Sequence, residues 1–297
     1  MEVRVLDVTP PGWGRELIAS YLIVGGEKAA LIDVGPRSSF EKLSEQLSRI
    51  GVKPDYVIVT HIHLDHAGAA GDAARVYGSR IIVHPRGLKH LANPSKLWNA
   101  ARQVLGEVAE VYGEPLPVPG DMLVEALDGA RVDLGGVELK ILHTPGHASH
   151  HMSVNAGGEI LFTGDSAGVH ITVDGSVVEL PTTPPPIRLD LYLESIDKMR
   201  GEGAERCAPA HYGIVEEKCD SYLERQREQI LRWYRAVEEL VAQGVDSVEE
   251  AARRLAEKFP DAARAYANPN PIVSRVFYYG TVWGLLDAAL RSRGSST

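Results

Sequence analysis

A stretch at positions 60–68 constrains this chain more than any other part of its sequence. It reads Thr-His-Ile-His-Leu-Asp-His-Ala-Gly, so three imidazoles and one carboxylate stand within six residues. The apolar run Tyr56–Val59 comes directly before it and predicts a buried strand. A loop at a strand end can turn alternate side chains toward one point, and zinc-like ions prefer imidazole and carboxylate ligands. The pattern therefore predicts two metal-binding groups in this loop, His61 with His63 and Asp65 with His66.

Three polar residues further along the chain complement this loop. His147, Asp165 and His211 each come just past a hydrophobic, strand-like segment. Loops that leave the ends of strands are where binding sites commonly form. A histidine-rich surface loop or a helix cap is the alternative for the 60–68 stretch, and the three complementary residues make it the weaker interpretation.

With these residues in this order, the chain resembles the metallo-β-lactamase superfamily. The family pattern is a His-x-His-x-Asp-His loop followed by a histidine, an aspartate and a final histidine. The resemblance covers residues 1–215 and implies an α/β fold there, a four-layer αββα sandwich that forms the catalytic domain. Residues 216–297 are then a helical C-terminal extension docked on that domain. Two divalent metal ions are also implied, with zinc expected and iron, manganese or cobalt as alternatives.

Carried over residue by residue, the resemblance assigns seven metal ligands. His61, His63 and His147 would hold one ion, Asp65, His66 and His211 the other, and Asp165 would bridge both. Asp33 matches a family aspartate that supports the metal loop by fixing the tautomer of a ligating imidazole. A turn aspartate that ends a strand is the alternative for Asp33.

This ligand set predicts a hydrolase. Two ions a few ångströms apart can share a hydroxide and hold the oxygen of an electrophilic carbonyl or phosphoryl group, so hydrolysis needs no serine or cysteine nucleophile. Asp65 would orient that hydroxide and relay its proton. Within the superfamily the chain resembles the hydroxyacylglutathione hydrolase (glyoxalase II)-like branch, which has lactonases and phosphotriesterases as neighbours. We therefore expect a dinuclear hydrolase of an ester-type bond, either thioester, lactone or phosphotriester, in a small-molecule substrate.

Two other classes of function stay open. Persulfide dioxygenases use a similar fold with a single iron held by two histidines and an aspartate, which are a subset of the seven ligands here. An oxidoreductase of that kind is the main alternative. A metal-stabilised binding protein without catalytic activity is the third class, and the complete ligand set disfavours it.

Charge and chain length limit the partners. The formal net charge is −9 and the isoelectric point is near 5.7, so nucleic acids and anionic membranes would be repelled. The interval from Asp165 to His211 is too short for the inserted domain of nucleic-acid-processing relatives.

No secretion signal is visible, and the uncharged stretch between Arg275 and Asp287 is too short to span a bilayer. We therefore expect a cytoplasmic protein.

Cys207 and Cys219 are the only cysteines, and their spacing is not that of a metal site. A disulfide between them is conceivable, but a reduced intracellular protein is the simpler interpretation. The chain contains only five Asn, five Gln and four Met, a depletion that is typical of heat-adapted proteins.

Hydrophobic periodicity predicts a β-meander at the amino terminus and several helices. The helices are expected at 39–50, 67–77, 86–112, 216–243, 247–258 and 272–293. The 86–112 insert would form one wall of the substrate pocket through Trp98 and Tyr112, although Trp98 could equally be a core residue. The last helix would dock on the catalytic domain or on a second copy of the chain in a homodimer.

Four further residues invite a functional role. His151 stands where related families have a buried structural histidine, and we expect that role here because the ligand set is already complete. His150 would lie near the site, in a role that stays open. His170 and Tyr212 could donate hydrogen bonds to substrate, but ordinary loop or packing roles are favoured.

Overall fold

Strand residues alternate between two apolar environments, and this alternation builds the layers of the fold. The structure is a computed structural model that describes residues 1–294. In the strand Ala19–Val24, Tyr21 and Ile23 belong to the core between two sheets, whereas Leu22 belongs to the core beneath the outer helices. Both faces of such a strand are covered, which explains why its residues are almost all apolar.

Six strands form the first sheet. In chain order they are β1 (Glu2–Asp7), β2 (Ala19–Val24), β3 (Ala29–Ile32), β4 (Tyr56–Ile58), β5 (Arg80–Val83) and β6 (Leu123–Glu125). They pair in that same order. The first three are antiparallel, as the β-meander predicts, and β3 to β6 are parallel.

Five strands form the second sheet, which packs face to face on the first. They are β7 (Arg131–Asp133), β8 (Glu138–His143), β9 (Met152–Ala156), β10 (Ile160–Gly164) and β13 (Arg206–Pro209), in the spatial order β13-β10-β9-β8-β7. A separate hairpin consists of β11 (Val169–Val173) and β12 (Ser176–Leu180). Between the sheets, the rings of Tyr21 and Phe162 lie 5.0 Å apart.

Helices cover both outer faces. Seven helices precede the C-terminal ones in the chain: α1 (Phe40–Ile50), α2 (Leu64–Ala67), α3 (Ala70–Tyr77), α4 (Leu88–Ala92), α5 (Ser95–Leu105), α6 (Glu107–Tyr112) and α7 (Leu189–Arg200). The C-terminal group comprises α8 (Cys219–Ala242), α9 (Val248–Lys258), α10 (Pro260–Tyr266), a π-helix (Ile272–Tyr279) and α11 (Gly280–Gly294). α8 packs on β13 and α10 packs on β12, so this group contacts the sandwich directly. Residues 295–297 of the predicted extension lie outside the described part of the chain.

The predicted four-layer α/β sandwich with a helical C-terminal region is confirmed. Helix α1 ends at a left-handed Gly51, and Ser247 caps α9 by accepting a hydrogen bond from the Glu250 amide at 3.3 Å. The single helix expected at 272–293 begins instead with the π-helix. The short α10 and the β11–β12 hairpin were not predicted.

Trp98 is a core residue. Its side chain is buried in the same hydrophobic cluster as the outer helices, and the Arg102 guanidinium lies 5.8 Å above its ring. The hypothesis that the 86–112 insert shapes the substrate pocket through Trp98 therefore loses its main support.

Cys207 and Cys219 form a disulfide, so the expectation of two reduced thiols was wrong. The chain turns back after β13, where the Val215 amide donates to the Cys207 carbonyl at 2.9 Å. The Cys219 amide then donates to the Glu205 carbonyl at 3.0 Å, which brings the two cysteine Cα atoms to 4.7 Å. This return of the chain is a tertiary feature that cysteine spacing alone does not reveal.

No helix within residues 1–294 combines the length and the apolar character needed to cross a bilayer. The longest, α8, has 24 residues but carries charged side chains throughout.

Candidate metal centre

The seven predicted ligands lie in loops that leave one edge of the two sheets. After β4 the chain passes through the 60–63 loop into α2, which carries Asp65 and His66. The second sheet supplies the other ligands from the β8–β9 connection and from the ends of β10 and β13. Ligands that are distant in sequence therefore meet at one place.

Three histidines form the first group. Nδ1 of His63 lies 2.9 Å from Nε2 of His61 and 3.2 Å from Nε2 of His147. His61 and His147 are buried, whereas His63 is partly exposed and marks the side from which solvent reaches the group. Three imidazole nitrogens that converge in this way can hold one divalent ion.

Asp65, His66 and His211 form the second group. Oδ2 of Asp65 lies 3.7 Å from Nε2 of His66 and 3.8 Å from Nε2 of His211. All three side chains are buried. They can hold a second ion.

Asp165 lies between the two groups and presents one carboxylate oxygen to each. Its Oδ2 lies 3.5 Å from Nε2 of His147. Its Oδ1 lies 3.5 Å from Nε2 of His66 and 3.4 Å from Nε2 of His211. Asp165 is the residue to which the family resemblance assigns a bridging role.

Two buried polar atoms at the second group have no hydrogen-bond partner within residues 1–294. They are Nε2 of His66 and Oδ1 of Asp165. A buried polar atom left unpaired costs about 1–3 kcal/mol, so both atoms favour an electron-pair acceptor between them. Imidazole and carboxylate are ordinary ligands of divalent metal ions, and the residues present fit such ions.

Three of the imidazoles form a hydrogen bond through Nδ1, the ring nitrogen that points away from the candidate metal positions. Nδ1 of His66 faces Asp33 Oδ2 at 2.9 Å, Nδ1 of His147 faces the Thr182 carbonyl at 3.0 Å, and Nδ1 of His211 faces the Leu17 carbonyl at 2.8 Å. Donation from Nδ1–H leaves the Nε2 lone pair free for a metal ion.

Asp33 supports the metal loop as well as ending a strand. It directly follows β3 with a backbone φ of 58°. Its carboxylate accepts hydrogen bonds from the Thr60 amide at 2.7 Å and from the Thr60 hydroxyl at 2.8 Å, besides its contact with His66. Asp33 therefore fits both interpretations, since it ends a strand and also supports the metal loop.

Burial and nearby charges set the protonation of the centre. Burial, reinforced by neighbouring imidazoles, lowers the pKa of His61 and His147 well below the ordinary value, so both imidazoles are neutral, which is the form that can bind a metal ion. Burial also opposes the charged form of His66, but the carboxylates of Asp165, Asp65 and Asp33 outweigh it and raise its pKa to about 10. These carboxylates create a place that favours positive charge, which a bound metal ion would supply.

His151 has the structural role predicted for it. Its Nε2 accepts a hydrogen bond from the Asp165 amide at 3.0 Å, and its Nδ1 lies 2.9 Å from both the Thr144 and the Ser166 hydroxyls. It is fully buried and holds the backbone of the bridging aspartate. His150 lies beside the first group, with its ring 5.9 Å from that of His63.

His170 and Tyr212 serve the surrounding structure. Nδ1 of His170 lies 2.7 Å from Oε1 of Glu179, which also binds Arg225. Tyr212 packs partly buried against both cores, and its amide donates to the His170 carbonyl at 2.9 Å. Neither needs a substrate to explain its position.

Two aromatic residues lie near the centre in positions that the sequence does not predict. The ring of Phe277, in the π-helix, lies 4.5 Å from the ring of His211. The Tyr112 hydroxyl is fully buried and has no partner in the described part of the chain. Burial raises the pKa of Tyr112 well above its ordinary range, and Asp65 and Asp165 raise it further. The sequence indicates Tyr112 only as a wall of the substrate pocket, and no local pattern marks Phe277 as a neighbour of a candidate ligand.

Comparisons with known proteins agree with this architecture. Residues 13–211 match the family model described as the metallo-beta-lactamase superfamily. The chain is 34% identical over 207 residues to the metallo-beta-lactamase fold-containing protein ST1585 of Sulfurisphaera tokodaii, which covers 68% of this chain and 76% of that protein. The crystal structure of ST1585 from Sulfolobus tokodaii superposes with a TM-score of 0.66 at 32% identity, over 77% of this chain and 86% of the other.

A second solved structure extends the likeness in fold to the C-terminal helices. The metallo-beta-lactamase family protein TTHA1429 from Thermus thermophilus superposes with a TM-score of 0.69 over 98% of this chain and 94% of the other, at 22% identity. The family match spans the loop at 60–68 and reaches the final histidine. The chain belongs to the metallo-beta-lactamase superfamily, whose members are generally metal-dependent hydrolases.

Proposed function

We propose that this protein is a dinuclear metal-dependent hydrolase of an ester-type bond. The observation that carries the proposal is the position of Asp165, which directs one oxygen to each of two ligand groups. A site for one ion would not need a carboxylate shared in this way. His61, His63 and His147 would hold one ion, and Asp65, His66 and His211 would hold the other.

Asp65 is the proton acceptor in this proposal. Burial opposes ionisation of Asp65, but His66, His211 and His63 together lower its pKa below the ordinary value, so it stays a carboxylate. When bound, divalent ions would make water more acidic and would polarise the carbonyl or phosphoryl oxygen of the substrate, so that its carbon or phosphorus becomes more electrophilic. Asp65 can then accept a proton from the attacking water and pass it to the leaving group, so that one water is consumed for each bond broken.

Thioesters, lactones and phosphotriesters are the proposed substrate class. One relative has an ester-type activity in its name: the atrochrysone carboxyl ACP thioesterase of Aspergillus chevalieri is 28% identical over 79% of this chain and 64% of that protein. We place the chain near the hydroxyacylglutathione hydrolase-like branch without proposing glutathione as the substrate carrier. Residues 270–275 faintly resemble the segment that would bind the carboxylates of glutathione in that branch, but no lysine follows Lys258 in the sequence, and the side chain of Asn270 donates to the Trp13 carbonyl at 2.6 Å.

Other expectations stay predictions. They are zinc as the metal, a small-molecule substrate rather than nucleic acid or membrane, a cytoplasmic location, a homodimer and heat adaptation.

Metal analysis combined with a substrate panel tests the proposal. Protein prepared with zinc should contain two ions per chain and should hydrolyse at least one thioester, lactone or phosphotriester. Asp165→Ala should lose activity and metal because it removes the shared ligand. Asp246→Ala, which changes an exposed carboxylate in the loop before α9, is the control and should keep both.

One outcome would support the dioxygenase alternative instead. A fully metallated protein with a single iron, no ion near His66 and His211, and oxygen consumption with a persulfide would overturn the dinuclear hydrolase. Full activity and metal content in Asp165→Ala would also contradict it.

A further inference from the structure

The segment Pro181–Thr183 connects the metal centre to the C-terminal helices. Its middle residue faces the centre: the Thr182 carbonyl accepts the hydrogen bond from Nδ1 of His147 at 3.0 Å. The Thr182 hydroxyl donates to the Asp165 carbonyl. One residue therefore touches both a ligand of the first group and the bridging ligand.

The two flanking residues face the opposite way, toward α11. The Thr183 hydroxyl donates to the Thr281 carbonyl at 3.0 Å, and the Thr281 hydroxyl donates to the Pro181 carbonyl. Thr182, Thr183 and Thr281 are all buried. Thr281 thus holds the segment on both sides of Thr182, and these bonds are shielded from competing water.

Gly284 sets the distance between α11 and this segment. A Cβ atom added there would overlap the Thr183 carbonyl oxygen and would lie 2.7 Å from the Thr183 carbonyl carbon. The helix therefore approaches the Pro181–Thr183 backbone as closely as only a glycine permits. The preceding π-helix reaches the other group, since Phe277 packs on His211. π-helical turns are frequent at functional sites.

From these contacts we infer that α11, through Gly284 and Thr281, positions the metal ligand His147 by fixing the Pro181–Thr183 segment. Thr281, Thr183 and Gly284 are positioning residues, because none of them reaches the ligand atoms. The inference rests on the proposed function in that His147 is taken to bind an ion. It changes the expected role of the C-terminal helices, which would shape the metal centre itself and not only the space around it.

Two glycines of α11 provide a matched pair for the test. Gly280→Ala has room, since the nearest atom to an added Cβ is the Arg275 carbonyl oxygen at 3.9 Å, whereas Gly284→Ala has none. Zinc dissociation constants would be measured by competition with a chromophoric chelator, and ligand geometry by visible absorption of the cobalt-loaded protein. We expect Gly284→Ala to weaken the binding of one ion per chain about 10- to 100-fold and to alter the cobalt spectrum, as loss of an outer partner does. Gly280→Ala should match the parent.

A second pair covers the case in which Gly284→Ala does not fold. Thr183→Val removes the hydroxyl bond to α11 at nearly constant shape, and Thr183→Ser retains it. Thr183→Val should weaken the binding of one zinc ion per chain about tenfold or more, and Thr183→Ser should bind zinc as tightly as the parent. The inference is overturned if folded Gly284→Ala and Thr183→Val both bind two ions as tightly as the parent, or if Ser and Val behave alike.

The metal-free protein separates this inference from the proposed function. If the parent binds no zinc, the proposed function fails. The positioning can still be measured by NMR, because a His147 Nδ1–H proton bonded to Thr182 should be protected from exchange in the parent and in Thr183→Ser. Equal protection in Thr183→Val would count against any role of α11.

Discussion

Asp33 contacts one candidate ligand, His66, and the start of the loop that carries three more. Its carboxylate accepts from the amide and hydroxyl of Thr60 and contacts Nδ1 of His66, and the side chain is buried. A carboxylate can only accept hydrogen bonds, and this suits the position of Asp33 because the Thr60 amide, the Thr60 hydroxyl and His66 Nδ1–H all donate toward it.

Asp33→Asn should weaken metal binding about 10- to 100-fold while leaving the fold intact. In Asp33→Asn, the side-chain amide would replace one carboxylate oxygen by an NH2 group. That NH2 group would face either the Thr60 backbone N–H or the His66 Nδ1–H, and both of these are themselves donors. Zinc affinity by chelator competition measures the effect. Asp55→Asn is the control, since the exposed Asp55 accepts from the Ala29 amide and lies away from the centre. Equal affinity in Asp33→Asn and the parent would remove Asp33 from its supporting role.

Two buried tyrosines differ in one hydrogen bond. The Tyr112 hydroxyl has no partner among residues 1–294, whereas the Tyr222 hydroxyl donates to the Ala167 carbonyl at 2.9 Å. Tyr222→Phe should therefore lose about 1 kcal/mol of the free energy of unfolding, and Tyr112→Phe should lose none or gain stability. Denaturant unfolding of metal-free protein compares them. A larger loss in Tyr112→Phe than in Tyr222→Phe would show that the Tyr112 hydroxyl has a bonding partner after all.

The seven candidate ligands and their supporting residues Asp33 and His151 could be predicted from the sequence, but other residues that contact the ligands could not. His61, His63, Asp65 and His66 share a loop, so their spacing carries the information. Thr182 and Phe277 contact ligands that lie 35 and 66 residues away in the chain, and nothing local distinguishes them from other threonines and phenylalanines. Contacts of that kind depend on tertiary packing.

The β11–β12 hairpin is attached to α8 by a charged network. Glu179 of β12 binds Arg225 of α8 through both carboxylate oxygens, at 2.6 and 2.9 Å, and accepts from His170 of β11 at 2.7 Å. Burial opposes ionisation of Glu179, but the hydrogen bonds from His170 and Arg225 outweigh it and lower its pKa from 4.5 to about 2.

This network should make stability depend on pH in the acid range. Because the pKa of Glu179 is lower in the folded state, its contribution is fully present above about pH 4.5 and is lost as the pH falls toward 2. The contribution is at most about 3 kcal/mol, since partly exposed Arg225 is screened by solvent. Unfolding free energies of the parent and Glu179→Gln should differ at neutral pH and converge on acidification. A constant difference across that range would contradict the assignment.

Elements with strong periodicity were predictable, and those that depend on their neighbours were not. α1 presents Leu43 and Leu47 to the core from a single stripe, which is visible in the sequence. The π-helix has the sequence pattern of an ordinary helix, and its side chains have distant partners: Phe277 packs on His211, and the Tyr278 hydroxyl donates to the Ala252 carbonyl. Those partners are invisible in a linear pattern.

At the scale of the whole molecule, a disulfide joins the last strand of the second sheet to the C-terminal helices. Cys207 and Cys219 enclose a loop of 12 residues' separation, and both are buried. A bond that closes a loop of this length stabilises the folded state by about 3 kcal/mol in the chain-entropy account. Disulfides also occur in intracellular proteins of hyperthermophiles, so the bond is compatible with a cytoplasmic protein.

Replacing both cysteines by alanine should lower the melting temperature, and reductant should lower that of the parent but not of the variant. Thermal unfolding with and without reductant measures both effects. Two free thiols in parent protein unfolded without reductant would contradict the disulfide.

The close approach of Gly284 to Thr183 also has a consequence for anyone who recombines this protein with a relative. The change in character at residue 215 looks like a natural junction for a chimaera, yet the Thr281 and Gly284 contacts cross it to reach Pro181–Thr183. A C-terminal half taken from another parent would bring its own side chain to position 284 and its own hydrogen bonds to position 281. Such hybrids should therefore inherit the 181–183 segment and α11 from the same parent.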